Sequence, residues 1–593
     1  MLRATLALLL ALPQGGFQES IEVRIHNVDV VVTNAKGEAV TGLRKEDFEL
    51  REDGAPQTIT NFSAYEALPV DTPLVAPDEP ATVAQAPAPA PPRTFLFYID
   101  DMSLDEPTLK SLSENLSEFV VKNLREGDTA SVVQPANVTN LALDLTTDRD
   151  ALRQEIIDAV ATNKLNAKPV GFESDVYLFE REIKRMVGNQ LVPLTQPTAE
   201  SKSIANRYAD KATRRVMQRL GTLRALIAAL GPIPGRKVLI AVTQNFSARP
   251  GAEFWERYQQ ILRQQAMDGQ GGIPLSAAAQ ASKDLLQSKI SKGEAFAPSL
   301  LDNSERITGM TDLTTDIKMV ARLASSNGVT LYAVRPETDL GSRMLGPDVV
   351  DPNLGDGGMP TGMPDIGMGM MLQHAISNTD QAIIPMVDIT GGRQFLPSDN
   401  LGDAMNRIAG DVNNYYSLAY RGSDGLDKPH KIEVRVRNRP ELKVRARNEV
   451  ERKSPRKELT DLVSAALVAP DSAGNVLGID AAEVETGKKL VLEVHIPMSS
   501  LDFEKSGNFY RARYTAHYAV SGGVTDYVSG MHEEQLVEVP AADWASAQTK
   551  HWTHVVTINR RTKAHYRVAV GIMDARTQAY GITTLDVAES GSD

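Results

Sequence analysis

Four short apolar runs constrain this chain most: "TFLFYI" (94–99), "TASVVQ" (129–134), "VLIAVT" (238–243) and "VTLYAV" (329–334). Each is continuously apolar rather than alternating, so each strand has two faces to bury. Amphipathic stretches at 108–124, 148–162, 211–230 and 312–325 lie between them. Buried strands separated by helices predict a parallel sheet covered on both faces. The first run ends in "YIDDMSLD", which delivers Asp100, Asp101, Ser103 and Asp105 to the carboxyl end of a strand. That is where α/β proteins often hold a metal or ligand.

The rest of the chain divides by composition. Residues 1–16, "MLRATLALLLALPQGG", carry one arginine before a short apolar run and read as a signal peptide, which implies a secreted or periplasmic protein. Residues 20–66 alternate as strands around the turns Asn34–Gly37 and Asp53–Gly54, and read as a small antiparallel β unit. Residues 67–93 are rich in proline and alanine, the composition of a semi-rigid linker. Residues 94–450 form the α/β unit, with insertions at 163–200, 247–310 and 346–371. Residues 458–593 show alternating segments separated by turn residues, the pattern of a β-sandwich.

In "HKIEVRVRNRPELKVRARNEV" (430–450), Ile432, Val434 and Val436 alternate with charged residues, as do Leu442, Val444 and Ala446 after the Asn438–Pro440 turn. The pattern predicts a hairpin with one face on the core and the other a basic ribbon. Such a ribbon protects an edge strand from self-association; an anionic-ligand surface is the other reading.

In order along the chain, "VVVTNAKGEAVTGLRKEDFELREDGAPQTITNF", "YIDD", "LTTDRDAL", "LGPIPGRKVLIAVT", "NGVTLYAVRP" and "ITGGRQFLPSDNLGDAMNRIAGDVNNYYSLAY" resemble the von Willebrand factor A-related family described from Acidobacteria. The resemblance covers most of residues 20–450. It implies an α/β, doubly wound (Rossmann-like) von Willebrand A-type domain, here flanked by the small N-terminal β unit and the C-terminal β-sandwich. It also implies a metal-ion-dependent adhesion site of oxygen ligands suited to Mg²⁺. Asp100 matches the first aspartate of that site, but Met102 and Leu104 stand at both serine positions, and Gln244 replaces the later aspartate. Asp101, Ser103 and Asp105 offer an all-oxygen set in a shifted register, with Thr146 or Thr147 as the threonine. The site is therefore read as degenerate: Asp100, Asp101, Ser103, Asp105 and Thr147 would take Mg²⁺ if any cation bound, and otherwise cap the helix at 107–124.

No other constellation competes. "GPIPGRK" precedes a strand and has the wrong glycine spacing for a phosphate loop, "HEE" at 532–534 lacks a second histidine, and there is no G-x-S-x-G elbow. The chain has no cysteine, which excludes disulfides and thiolate chemistry. A formal charge of −13 disfavours nucleic acid, and no segment reaches transmembrane length. The expected function is a non-enzymatic, adhesion-type interaction protein with a protein partner and no resident cofactor. The alternatives are an envelope spacer, or a hydrolase of envelope polymers with catalysis outside the A-domain.

Overall fold

The structure is a computed structural model. It describes residues 25–66, 91–100, 106–134, 142–166, 184–187, 190–193, 199–243, 246–256, 311–336, 366–396, 399–422, 425–486, 489–522, 526–559 and 565–587. The expected signal peptide and almost all of the expected linker lie outside these residues.

The amino-terminal strands are β1 (Ile25–Thr33), β2 (Phe48–Glu52), β3 (Ala55–Gln57) and β4 (Ile59–Tyr65). The α/β region follows with β5 (Arg93–Ile99), α1 (Glu106–Asn123), β6 (Thr129–Val133) and α2 (Arg149–Asn166). A two-stranded ribbon, β7 (Lys184–Val187) and β8 (Gln190–Pro193), precedes the long helix α3 (Ala199–Leu230) and β9 (Arg236–Val242). Next are α4 (Thr314–Ser326), β10 (Val329–Val334), α5 (Ile366–Thr390), β11 (Arg393–Phe395) and α6 (Leu401–Asn413).

Five strands pair in parallel in the order β11-β10-β9-β5-β6. Strand β5 shows why the run is apolar throughout. Phe95, Phe97 and Ile99 face α1, whose Leu112, Leu116, Phe119 and Val120 recur at helical spacing, while Leu96 and Tyr98 face α3 through Val216, Leu220 and Leu223. Phe119 meets Phe95 edge-on at 6.0 Å.

The chain does not, however, consist of a single doubly wound A-type domain with separate β units at its two ends, and that expectation is corrected. Strands β12 (Tyr415–Arg421), β13 (Pro429–Val436), β14 (Lys443–Ala446) and β15 (Glu449–Glu451) return to the amino-terminal strands. The result is two four-stranded antiparallel sheets, β14-β1-β12-β4 and β15-β13-β2-β3. They close over one core that includes Val28, Val30, Phe48, Leu418 and Ile432. The amino-terminal strands therefore have no core of their own; about half of it comes from residues beyond 415.

The expected hairpin at 430–450 is corrected by the same pairing. Strand β13 pairs with β2 and β14 with β1, so the two halves belong to different sheets. Arg435 stays exposed at 70%, but the Arg445 side chain is only 18% exposed and ion-paired to Asp411.

At the other end, α7 (Pro455–Ala466) starts at the cap Ser454, whose hydroxyl accepts from the Lys457 N–H, with Pro455 in the first turn. Leu459, Val463 and Ala466 of this helix lie in the same core as Leu220, Leu226 and Leu239 of the α/β region and Ala519, Ala569 and Ile582 of the late strands. A unit beginning at 458 would cut through this helix.

The late strands are β16 (Asp480–Thr486), β17 (Lys489–Pro497), β18 (Glu504–Ser506), β19 (Phe509–Gly522) and β20 (Asp526–Pro540). After the short helix α8 (Trp544–Ala547) come β21 (His551–Asn559), β22 (Tyr566–Asp574) and β23 (Tyr580–Val587). A three-stranded sheet β16-β17-β21 and a larger antiparallel sheet around β19 share a core of Leu492, Val494, Tyr514, Val556 and Val570.

A charged layer joins the amino end of the parallel sheet to the first β unit. Arg93, 2% exposed, meets Asp128 through Nε at 3.1 Å and Nη2 at 2.5 Å, and also donates to Asn413 and the Asn123 carbonyl. Arg236 lies 3.8 Å over the Tyr415 ring, with Nε 3.9 Å from Asp29. Lys237 donates to the Gly231 carbonyl; burial, with Arg447 beside it, pulls its ammonium down to about 8.

Candidate functional site at the carboxyl end of the parallel sheet

Asp100 continues the parallel ladder of β5 by donating its backbone N–H to the Val242 carbonyl, 2.9 Å. This places it at the carboxyl end of the sheet, as the apolar run predicts. Its side chain is fully buried and engaged: the Thr243 hydroxyl donates to Oδ2 at 2.6 Å, and Arg219 Nε lies 3.2 Å from Oδ1. Arg219, from α3, is itself 2% exposed. A guanidinium thus stands against the carboxylate that the sequence resemblance offers to a cation. Two opposite buried charges at this distance offset each other's desolvation cost, which either alone would carry in full, although Nε makes no well-formed hydrogen bond.

Of the other expected site residues, only the threonine pair is described, and it does not reach Asp100. Asp101, Ser103, Asp105 and Gln244 lie outside the described residues. Thr146 bridges Ala130, and Ala130 pairs with Phe95, five residues short of Asp100. At roughly 3.3 Å per residue this register sets the threonine pair about 16 Å back along the sheet. Thr147 is exposed, and the Thr146 hydroxyl accepts from the Asp148 N–H. Asp148 in turn accepts from the Asp150 and Ala151 N–H groups and caps α2. The "LTTD" stretch therefore serves a helix start. Among the described residues, no group of three or more histidine, aspartate or glutamate side chains is placed to hold a metal ion.

Two groups at this end escape pattern reading. Arg219 is one; its signal was a cation between Val216, Leu220 and Leu223 on an otherwise apolar helix face. Glu253 is the other. It sits in a helical segment that begins at Ala252 and packs on α3, where Phe254 meets Tyr208 with ring centres 4.3 Å apart. Gly251 makes the approach possible, because a Cβ there would lie 2.5 Å from Ala209 Cβ at φ +83°.

Burial pushes the Glu253 carboxyl up to about 7, against the opposing pull of its hydrogen bonds, including one with Tyr208. A raised folded value means that the native state holds a proton the unfolded chain releases. Stability should therefore fall as pH rises from about 4.5 to about 7, by roughly 3 kcal/mol. Denaturant midpoints at pH 5.5 and 8 should differ in the wild type and converge in Glu253→Gln. Equal slopes in both proteins would contradict this.

On the same edge, Arg335 is ion-paired to Asp380, which also accepts from Gln394 at 2.9 Å. Asn378 bonds the Arg249 backbone through both its amide atoms, at 2.8 and 2.6 Å. These contacts tie the first residues beyond the strands to α5.

No family model matches the chain, and no curated protein matches it significantly. Among solved structures, a β-glucuronidase from Bacteroides uniformis is 8% identical, over 30% of this chain and 19% of that one, with a TM-score of 0.12. The human COPII-coat protein Sec24c is 9% identical, over 64% of this chain and 49% of that one, with a TM-score of 0.17. The chain spans about a fifth to a half of the length of these structures. Likeness at this level carries no argument about fold or activity.

Proposed function

We propose that the chain is an exported, non-enzymatic interaction protein that engages a protein partner at the carboxyl end of its parallel sheet. The supporting observation is the inequality of the two ends of that sheet. The amino end is closed by the arginine–aspartate layer against β1, β12 and β14. At the carboxyl end the chain leaves the strands at Val133, Val242 and Val334, and enters α2, α4 and α5 only at Arg149, Thr314 and Ile366. Connections presented by a rigid sheet are where α/β proteins place recognition. Asp100 itself is engaged by Arg219 and Thr243.

A photo-crosslinking residue at Leu396, 45% exposed just beyond β11, should give a discrete adduct in envelope extract, unchanged by EDTA. The same probe at Phe509, 40% exposed in β19, should give none. Adducts only at Phe509 would move the function to the late strands, and turnover of an ester, peptide or glycan substrate would contradict the non-enzymatic reading.

A further inference from the structure

We propose that the layer between the parallel sheet and the first β unit holds a doubly charged tetrahedral oxyanion, phosphate or sulfate, between Arg236 and Arg445. Arg236, Arg393 and Arg445, from β9, β11 and β14, all act electrostatically on the Tyr332 phenol, and Arg447, just beyond β14, feels Arg236. Two carboxylates face them. Asp411 binds Arg445 Nη2 at 2.6 Å, and Asp29 lies 3.9 Å from Arg236 Nε. Lys237, beside Arg447, adds a fifth positive group, and Glu52, which acts on Tyr420 together with Arg447, a third carboxylate, so five positive charges against three negative leave a surplus of two. Arg407, also near Arg393, is exposed and solvated, so it is left out of this balance.

The hydrogen-bond balance points the same way. Nε and Nη1 of Arg236 and Nε and Nη1 of Arg445 are buried and make no well-formed hydrogen bond; the groups that face these two guanidiniums are the Tyr415 and Tyr332 phenols, neutral acceptors that cannot balance the charge. The Arg236 side chain is 2% exposed, so these donors have no bulk water. Buried guanidinium donors without well-formed hydrogen bonds are costly, and a bidentate oxyanion is the acceptor that suits the guanidinium fork. Tyr332 marks the convergence. Its phenol is pushed up to about 12 by burial and Asp411, while Arg236, Arg445 and Arg393 all act on it in the opposite sense. The depth of Arg236 restricts the ligand to a small free anion rather than the phosphoryl group of a larger molecule.

The test uses the full chain, desalted into chloride buffer. Acid denaturation followed by ion chromatography reads anion carried through purification. Equilibrium dialysis against labelled phosphate, and separately labelled sulfate, reads anion taken up. A stoichiometric amount of one of the two, released or bound and not displaced by chloride at equal ionic strength, is the expected result; the two arms say which. Arg236→Gln should weaken retention by roughly tenfold or more. Absence of both release and uptake in the wild type overturns the proposal, whether or not the variant folds. Undiminished retention in a folded Arg236→Gln does so as well.

Discussion

Asp128→Ala should destabilise the protein by roughly 3–5 kcal/mol, because it leaves the buried Arg93 guanidinium without its counter-charge. Asp128 accepts from the Arg93 backbone N–H, from its guanidinium, and from the Arg125 N–H, so its removal also unties the turn before β6. Urea denaturation followed by far-ultraviolet dichroism would show the midpoint move. The informative control is the double replacement Arg93→Met with Asp128→Leu. It removes both charges and should recover much of the loss, since a buried ion pair costs most when one partner stays behind. A double variant no more stable than Asp128→Ala would show that the layer acts by shape rather than by charge.

Asp100→Ala should cost a similar amount, again roughly 3–5 kcal/mol, by removing the buried carboxylate that faces Arg219 of α3. Thr243→Val removes one hydrogen bond to the same carboxylate and should cost about 1.5–3 kcal/mol. Thermal melts without added divalent cation report both. An Asp100→Ala protein as stable as the wild type would mean that the Arg219 contact contributes nothing.

The parts of this architecture that were legible are those whose cause is local. Continuous apolar runs gave four of the five parallel strands, the short β11 (Arg393–Phe395) being missed; helical spacing gave α1, and the run ending at Ile99 put Asp100 at a strand end. The helix Pro455–Ala466 was equally legible, from Ser454-Pro455 and the spacing of Leu459, Val463 and Ala466, and an all-β reading of that region overlooks it.

What was not legible depends on pairing across the chain. Val30 and Tyr416 are adjacent in a ladder, yet nothing in either segment announces the other. Arg445 alternates with apolar residues just as an edge-strand cation would. Only the docking of β14 beside β1 turns it inward onto Asp411. The candidate site divides in the same way. Asp100 could be placed from its own strand, but its partner Arg219 comes from a helix more than a hundred residues later, and no spacing rule links them. Thr147 failed for a geometric reason, because the bridge between Thr146 and Ala130 fixes it far from the strand end.

The central claim is that Asp100 serves Arg219 and not a cation, and a Mg²⁺ titration of the melting temperature tests it most directly. A ligand that binds only the native state adds about 2.7 kcal/mol at a hundredfold excess over its Kd, well within reach of a melting scan. The account predicts that millimolar Mg²⁺ leaves the wild-type melting temperature unchanged relative to Ca²⁺-free, EDTA-treated protein at equal ionic strength. A saturable Mg²⁺-dependent rise that disappears in Asp100→Asn would contradict it and make this strand end a metal site.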